Sequence, residues 1–136
     1  MPEPQYRYLI TSTHAYPGVL LVTLTESHVR SDELADALRD ELLDAVTRSG
    51  VKQVVLNFGQ VVFISSAGLR PLIRLRRKLQ DEGGQLRICN LSESVADVFN
   101  TTRIFTAPFE IQPDVPSAVA NLEAGAQVDA GKAPSP

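Results

Sequence analysis

Val54-Val55-Leu56 is apolar without alternation and lies between two charged, periodic stretches. A strand with one face in water alternates apolar and polar residues, so an unbroken apolar run marks a strand covered on both faces. Such a strand belongs at the centre of a parallel sheet with helices packed over it. This constrains the chain to an α/β architecture.

The flanking segments fill in that plan. Tyr6 to Thr11 and Val19-Leu20-Leu21-Val22-Thr23-Leu24 are rich in aromatic, β-branched and aliphatic residues, and Tyr16-Pro17-Gly18 between them reads as a turn, giving two antiparallel strands. Ser31, followed by Asp32 and Glu33, opens a helix in which Leu34, Leu38, Leu42, Ala45 and Val46 recur at helical spacing until Ser49-Gly50. A second helix opens on Ser65-Ser66-Ala67-Gly68, carries Leu69, Leu72, Ile73 and Leu79, and closes at Gly83-Gly84. Gln85 to Asn90 is a short strand, Ser92 caps a helix through about Phe99, and Phe109-Glu110-Ile111 reads as a last strand. The order is β-β-α-β-α-β-α-β. From Pro113 the composition shifts to Ala, Pro, Gly and Ser; Val115 to Leu122 predicts a short helix, and Ala124 to Pro136 reads as a disordered tail.

Composition narrows the function. With 136 residues, 43% of them apolar, the chain suits one domain with one core. Its formal charge of −3 is opposite to that of a phosphate-backbone binder, which argues against nucleic acid. The single Cys89 has no disulfide partner, the N-terminus lacks a leader pattern, and no apolar stretch approaches the ~20 residues of a membrane span. The expectation is a cytoplasmic protein without an integral membrane segment.

Serine at a strand-to-helix junction has three readings. Ser66 caps the helix, its oxygen accepting from an unpaired backbone N–H. Ser66 is a nucleophile, which requires a base; His14 and His28 are the two histidines, no acidic partner is singled out, and the glycine of a nucleophile elbow two residues before the serine is missing. Or Ser66 is a modification site.

Val54-Val55-Leu56-Asn57, then Val61-Val62-Phe63-Ile64-Ser65-Ser66-Ala67-Gly68-Leu69, Leu72 and Gly83-Gly84-Gln85-Leu86 resemble the STAS domain of bacterial anti-sigma-factor antagonists. The resemblance covers roughly residues 6 to 112, placing a domain at 1–112 and a short helix and tail at 113–136. It implies a mixed β-sheet, an initial antiparallel hairpin followed by parallel strands, flanked by helices mainly on one side. It also implies a non-enzymatic partner switch: the unmodified chain captures an anti-sigma factor, a serine kinase of histidine-kinase-like ATPase fold, and phosphorylation of the junction serine by that kinase ends the capture until a phosphatase reverses it. By position the modified residue is Ser66. The implied contact surface is Asn57, Ser65, Ser66, Ala67, Gly68, Leu69 and Arg70.

Two positions depart from the family pattern. Ser65 stands where an Asp is usual, which removes an acidic neighbour and supplies a second hydroxyl, so Ser65 is the alternative modification site. Pro71 lacks an N–H and its ring crowds the carbonyl of Ala67, which predicts a loose or late-starting first turn.

The remaining features read more plainly. Arg70, Arg74, Arg77 and Lys78 share one face of the second helix; the ridge reads as a solvated face, with a nucleic-acid or anionic-lipid patch as the alternative. Asp32, Glu33, Asp36, Asp40, Glu41 and Asp44 make the first helix acidic. Cys89 reads as a small buried apolar residue without metal or redox role, Asn100-Thr101-Thr102 as an unused glycosylation triplet, and the isolated Gly59 and Gly68 do not form a phosphate loop. No cofactor or bound nucleotide is expected.

Overall fold

The computed structural model describes residues 6–105 and 110–122. Strands β1 (Leu9–Ser12) and β2 (Val19–Leu24) form the hairpin, β3 (His28–Val29) follows, and α1 spans Asp32–Ser49. Then come β4 (Gln53–Asn57), β5 (Phe63–Ile64), a 3₁₀ turn at Ser66–Leu69, α2 (Arg70–Asp81), β6 (Gln85–Cys89), α3 (Glu93–Thr102) and β7 (Ile111–Gln112). Residues 115–122 are helical.

The main sheet has the order β1-β2-β4-β6-β7, antiparallel between β1 and β2 and parallel elsewhere. Strand β4 is its centre, as the unbroken apolar run requires. Alternation along the strands divides two packing layers. Leu20, Val22, Val54, Leu56, Leu86 and Ile88 face α1, α2 and α3, whereas Val19, Val55 and Cys89 pack with Ala118, Val119 and Leu122 of the terminal helical segment.

The helices begin and end where their residues dictate. The Ser31 hydroxyl accepts from Leu34 N at 3.0 Å, Asp32 and Glu33 sit at the positive end of the α1 dipole, and Gly50 closes the helix at φ 69° with its N–H on Val46 O. Ala35, Leu38, Leu42, Ala45 and Val46 form its buried stripe. A fully buried leucine such as Leu42 contributes about 1.5–3 kcal/mol by leaving water. Helix α2 buries Pro71, Leu72, Leu75 and Leu79, while Ile73 lies at the edge of the core. In α3, Phe99 meets Phe58 edge-on at 5.9 Å and Phe105 at 5.5 Å.

Several elements differ from the sequence expectation. The first strand starts at Leu9 instead of Tyr6, because Glu41 on α1 accepts from the backbone N–H groups of Arg7 and Tyr8, each at 3.0 Å, and draws that segment onto the helix. The last strand is Ile111–Gln112; Phe109 lies outside the described residues, as does the 124–136 tail. The small β3–β5 ribbon is additional. Helix α2 begins at Arg70 behind a 3₁₀ turn, the late start that Pro71 in its first turn predicts.

Candidate functional site

The junction before α2 is built by the β3–β5 ribbon, whose register places His28 beside Phe63 and Val29 beside Ile64. The ladder continues one step, with Ser65 N donating to Val29 O at 2.9 Å. Ser65 keeps an extended backbone and serves as the cap: its Oγ accepts from Gly68 N at 3.4 Å and its hydroxyl donates to Arg30 O at 3.5 Å. Of the three readings of Ser66, the capping one thus passes to Ser65. Ser65 takes that role because it is the last residue before the chain turns.

Ser66 is the first residue of the 3₁₀ turn and is exposed. The turn lies tight against the ribbon. A Cβ on Gly68 would meet Ile64 Cγ1 at 2.7 Å and both Val29 Cγ1 and Val29 O at 2.9 Å, so only a hydrogen side chain fits. Gly68 and Leu69 are buried, Leu69 to 1% exposure, and their part is to fix the turn instead of meeting a partner with their side chains. Ala67 is half-buried, and Arg70 is exposed with its guanidinium 2.9 Å from Asp32, linking the starts of α1 and α2.

Asn57 organises the loop after β4. Its Oδ1 accepts from Gly59 N and from Asn90 Nδ2, both at 2.9 Å, and Asn90 holds φ 60°, a conformation Asn tolerates better than most residues. Its side-chain carbonyl is thus committed to the fold.

The sequence reading missed Val62 and Phe63, which are 55% and 39% exposed. Their backbone is clamped: both N–H groups donate to Ser27 O, at 2.7 and 3.0 Å, and the Ser94 hydroxyl donates to Val62 O at 2.8 Å. Two large apolar side chains are thereby held in water just upstream of Ser66, and the His28 ring lies 6.3 Å from that of Phe63. The available signal was local: a fully covered strand would have had no reason to stop at Ile64 and turn.

The histidines do not assemble a triad here. His28 commits Nδ1 to the Ser27 hydroxyl at 2.9 Å, and His14 lies in the turn after β1. Cys89 is fully buried, and burial pushes its thiol up to about 12, so it stays protonated and inert at neutral pH. Among the described residues no group of three or more His, Cys, Asp or Glu is placed to hold a metal, and no helix is long and apolar enough to cross a membrane.

A mixed sheet with an antiparallel start, α1 to α3 over one face, the terminal helical segment on the other and a serine-bearing turn at the head of α2 defines a small α/β domain. The family model for the STAS domain matches residues 13–118, and the chain belongs to that family. A stretch of 65 residues is 38% identical to "Putative anti-sigma factor antagonist BtrV" of Bordetella bronchiseptica, covering 48% of this chain and 55% of that protein; the match thus spans about half the relative's length. An anti-sigma factor antagonist from Mycobacterium paratuberculosis superposes with a TM-score of 0.69 at 21% identity, covering 85% of this chain and 92% of that one. The Bacillus cell fate determinant SpoIIAA, in a structure of its phosphorylated form, superposes with a TM-score of 0.60 at 17% identity, covering 88% and 98%. These structures share the fold.

Proposed function

We propose that the chain is an anti-sigma factor antagonist, a cytoplasmic non-enzymatic module that captures an anti-sigma factor and releases it when Ser66 is phosphorylated. The observation that carries this reading is the division of labour between adjacent serines: Ser65 is half-buried and holds the turn, while Ser66 is exposed and its hydroxyl makes no hydrogen bond among the described residues. The name of the Bordetella relative and the phosphorylated form of the Bacillus neighbour support it.

The physics of the switch follows from position. A phosphate adds about −1.5 to −2 charges at neutral pH. Ser66 is exposed and stands at the opening of the 3₁₀ turn that leads into α2, near the positive end of the helix, so the fold tolerates the phosphate. A partner packed on Val62 and Phe63 would have to desolvate that charge without compensation. A penalty of ~3–4 kcal/mol lowers affinity by about two to three powers of ten, at ~1.4 kcal/mol per decade. The partner in this reading is a serine kinase of histidine-kinase-like ATPase fold, and a phosphatase resets the chain.

The test is a pull-down from host lysate with wild-type, Ser66→Ala and Ser66→Asp baits. Wild type and Ser66→Ala capture an ATPase-fold anti-sigma factor that Ser66→Asp loses. Equal capture by all three contradicts the switch and leaves a non-switching STAS subunit that binds a transport-complex partner or a small ligand.

A further inference from the structure

Helix α2 carries a second surface. Arg70, Arg74 and Arg77 are exposed along one side of it, and with Ile73 they line a shallow depression of about 240 Å³. A second depression of about 230 Å³ adjoins it, sharing Arg70 and Arg74 and reaching Ala35, Asp36 and Arg39 of α1. The two make a shallow groove along α2 that reaches α1, lined by Arg70, Ile73, Arg74 and Arg77 with Arg39, and with the buried Ala35 and Pro71 behind it.

The pairing of those arginines is uneven. Arg39 bonds Asp40 and lies near Asp36, and Arg70 bonds Asp32, whereas Arg76, turned toward the core, is matched by Glu110 at 2.9 Å. Arg74 and Arg77 have no carboxylate within ion-pair distance among the described residues. In a chain with a formal charge of −3, two unmatched guanidiniums beside an apolar floor form a local positive field of opposite sign to the whole.

We propose that this groove docks an acidic amphipathic segment of a protein partner. From Arg70 to Arg77 the rim runs ~10 Å at ~1.5 Å per residue, the length of about two helical turns. Carboxylates spaced along such a segment meet Arg74 and Arg77, and its apolar side chains rest on the half-buried Ile73. A broad anionic surface fits less well, because Asp36 lines the groove and Asp32 and Asp40 already hold Arg70 and Arg39, so an anionic partner must place its charges selectively on Arg74 and Arg77, as a short patterned segment does and a uniform array of phosphates does not. The inference does not depend on Ser66 being modified.

The experiment uses the isotopically labelled full chain and two synthetic acidic peptides of about three helical turns, identical in composition, one patterned to be amphipathic and one scrambled. The amphipathic peptide shifts the amide signals of Ala35, Arg70, Ile73, Arg74 and Arg77, the scrambled one binds more weakly, and Arg74→Glu/Arg77→Glu lowers affinity about tenfold or more. The variant's undisturbed spectrum confirms its fold, and Ser66→Ala, which removes the switch hydroxyl without adding charge near Arg70, leaves peptide binding unchanged. Equal binding of both peptides, shifts elsewhere, or an unchanged affinity in the double variant overturns the proposal. Binding of the chain to anionic phospholipid vesicles that needs Arg74 and Arg77, with no peptide binding, also overturns it in favour of a membrane surface.

Discussion

The starts of α1 and α2 share a sequence signal and use it differently. Both open with a serine whose oxygen accepts from the N–H three residues on, but the bond is 3.0 Å for Ser31 in α1 and 3.4 Å for Ser65 before α2. In α1 the cap leads directly into a regular helix with acidic residues in its first turn. Before α2 it leads into a 3₁₀ turn without acidic residues, pressed onto Val29 and Ile64. Packing, more than capping, determines the second start, which leaves the next hydroxyl free for another role.

The contrast can be broken most forcefully at Gly68. A Gly68→Ala substitution forces a methyl into Val29 and Ile64, costing about 3 kcal/mol by overpacking, and lowers the denaturation midpoint. Next comes the cap of α1: Ser31→Ala costs about 1 kcal/mol in urea unfolding, since Leu34 N loses its acceptor. Ser65→Ala falls below that, at roughly 0.5 kcal/mol, the low end of the capping range, because its bond is long and Gly68 N keeps the Ser65 backbone carbonyl at 2.9 Å. Smallest of all, Ser66→Ala and Ser66→Asp leave stability within about 0.5 kcal/mol, as exposed substitutions do. A Ser65→Ala loss larger than that of Ser31→Ala would reverse the comparison.

Much of this was legible in the residues, for identifiable reasons. Val54-Val55-Leu56 announced the central strand, and the stripe of α1 announced its buried face, because local periodicity carries both. Pro71 announced the delayed start of α2 through its missing N–H. The β3–β5 ribbon was not legible, since two-residue strands have no period and this pair joins segments far apart in sequence. Nor was the use of residues 115–122: their helicity shows in sequence, but their place over Val19, Val55 and Cys89 follows from topology. Arg87 illustrates the same limit. It alternates as a polar residue on a strand, yet it is 2% exposed and donates to Asn121 of that terminal segment and to Leu86 O at 2.9 Å.

At the candidate site, motif resemblance singled out Ser66 but not the exposed residues around it. Leu69 reads as a contact residue in sequence and is core in three dimensions, whereas Val62 and Phe63 read as strand and are exposed. The direction of a side chain at a sharp turn depends on the backbone bonds to Ser27, Val29 and Ser94, which come from elsewhere in the chain.

The most direct test of the switch is phosphosite mapping by mass spectrometry of the chain isolated from its host across growth conditions. The account predicts a condition-dependent phosphate on Ser66 that disappears in Ser66→Ala, with the protein still folded. Phosphate confined to Ser65, or neither serine modified under any condition in which the partner is bound and released, would contradict it.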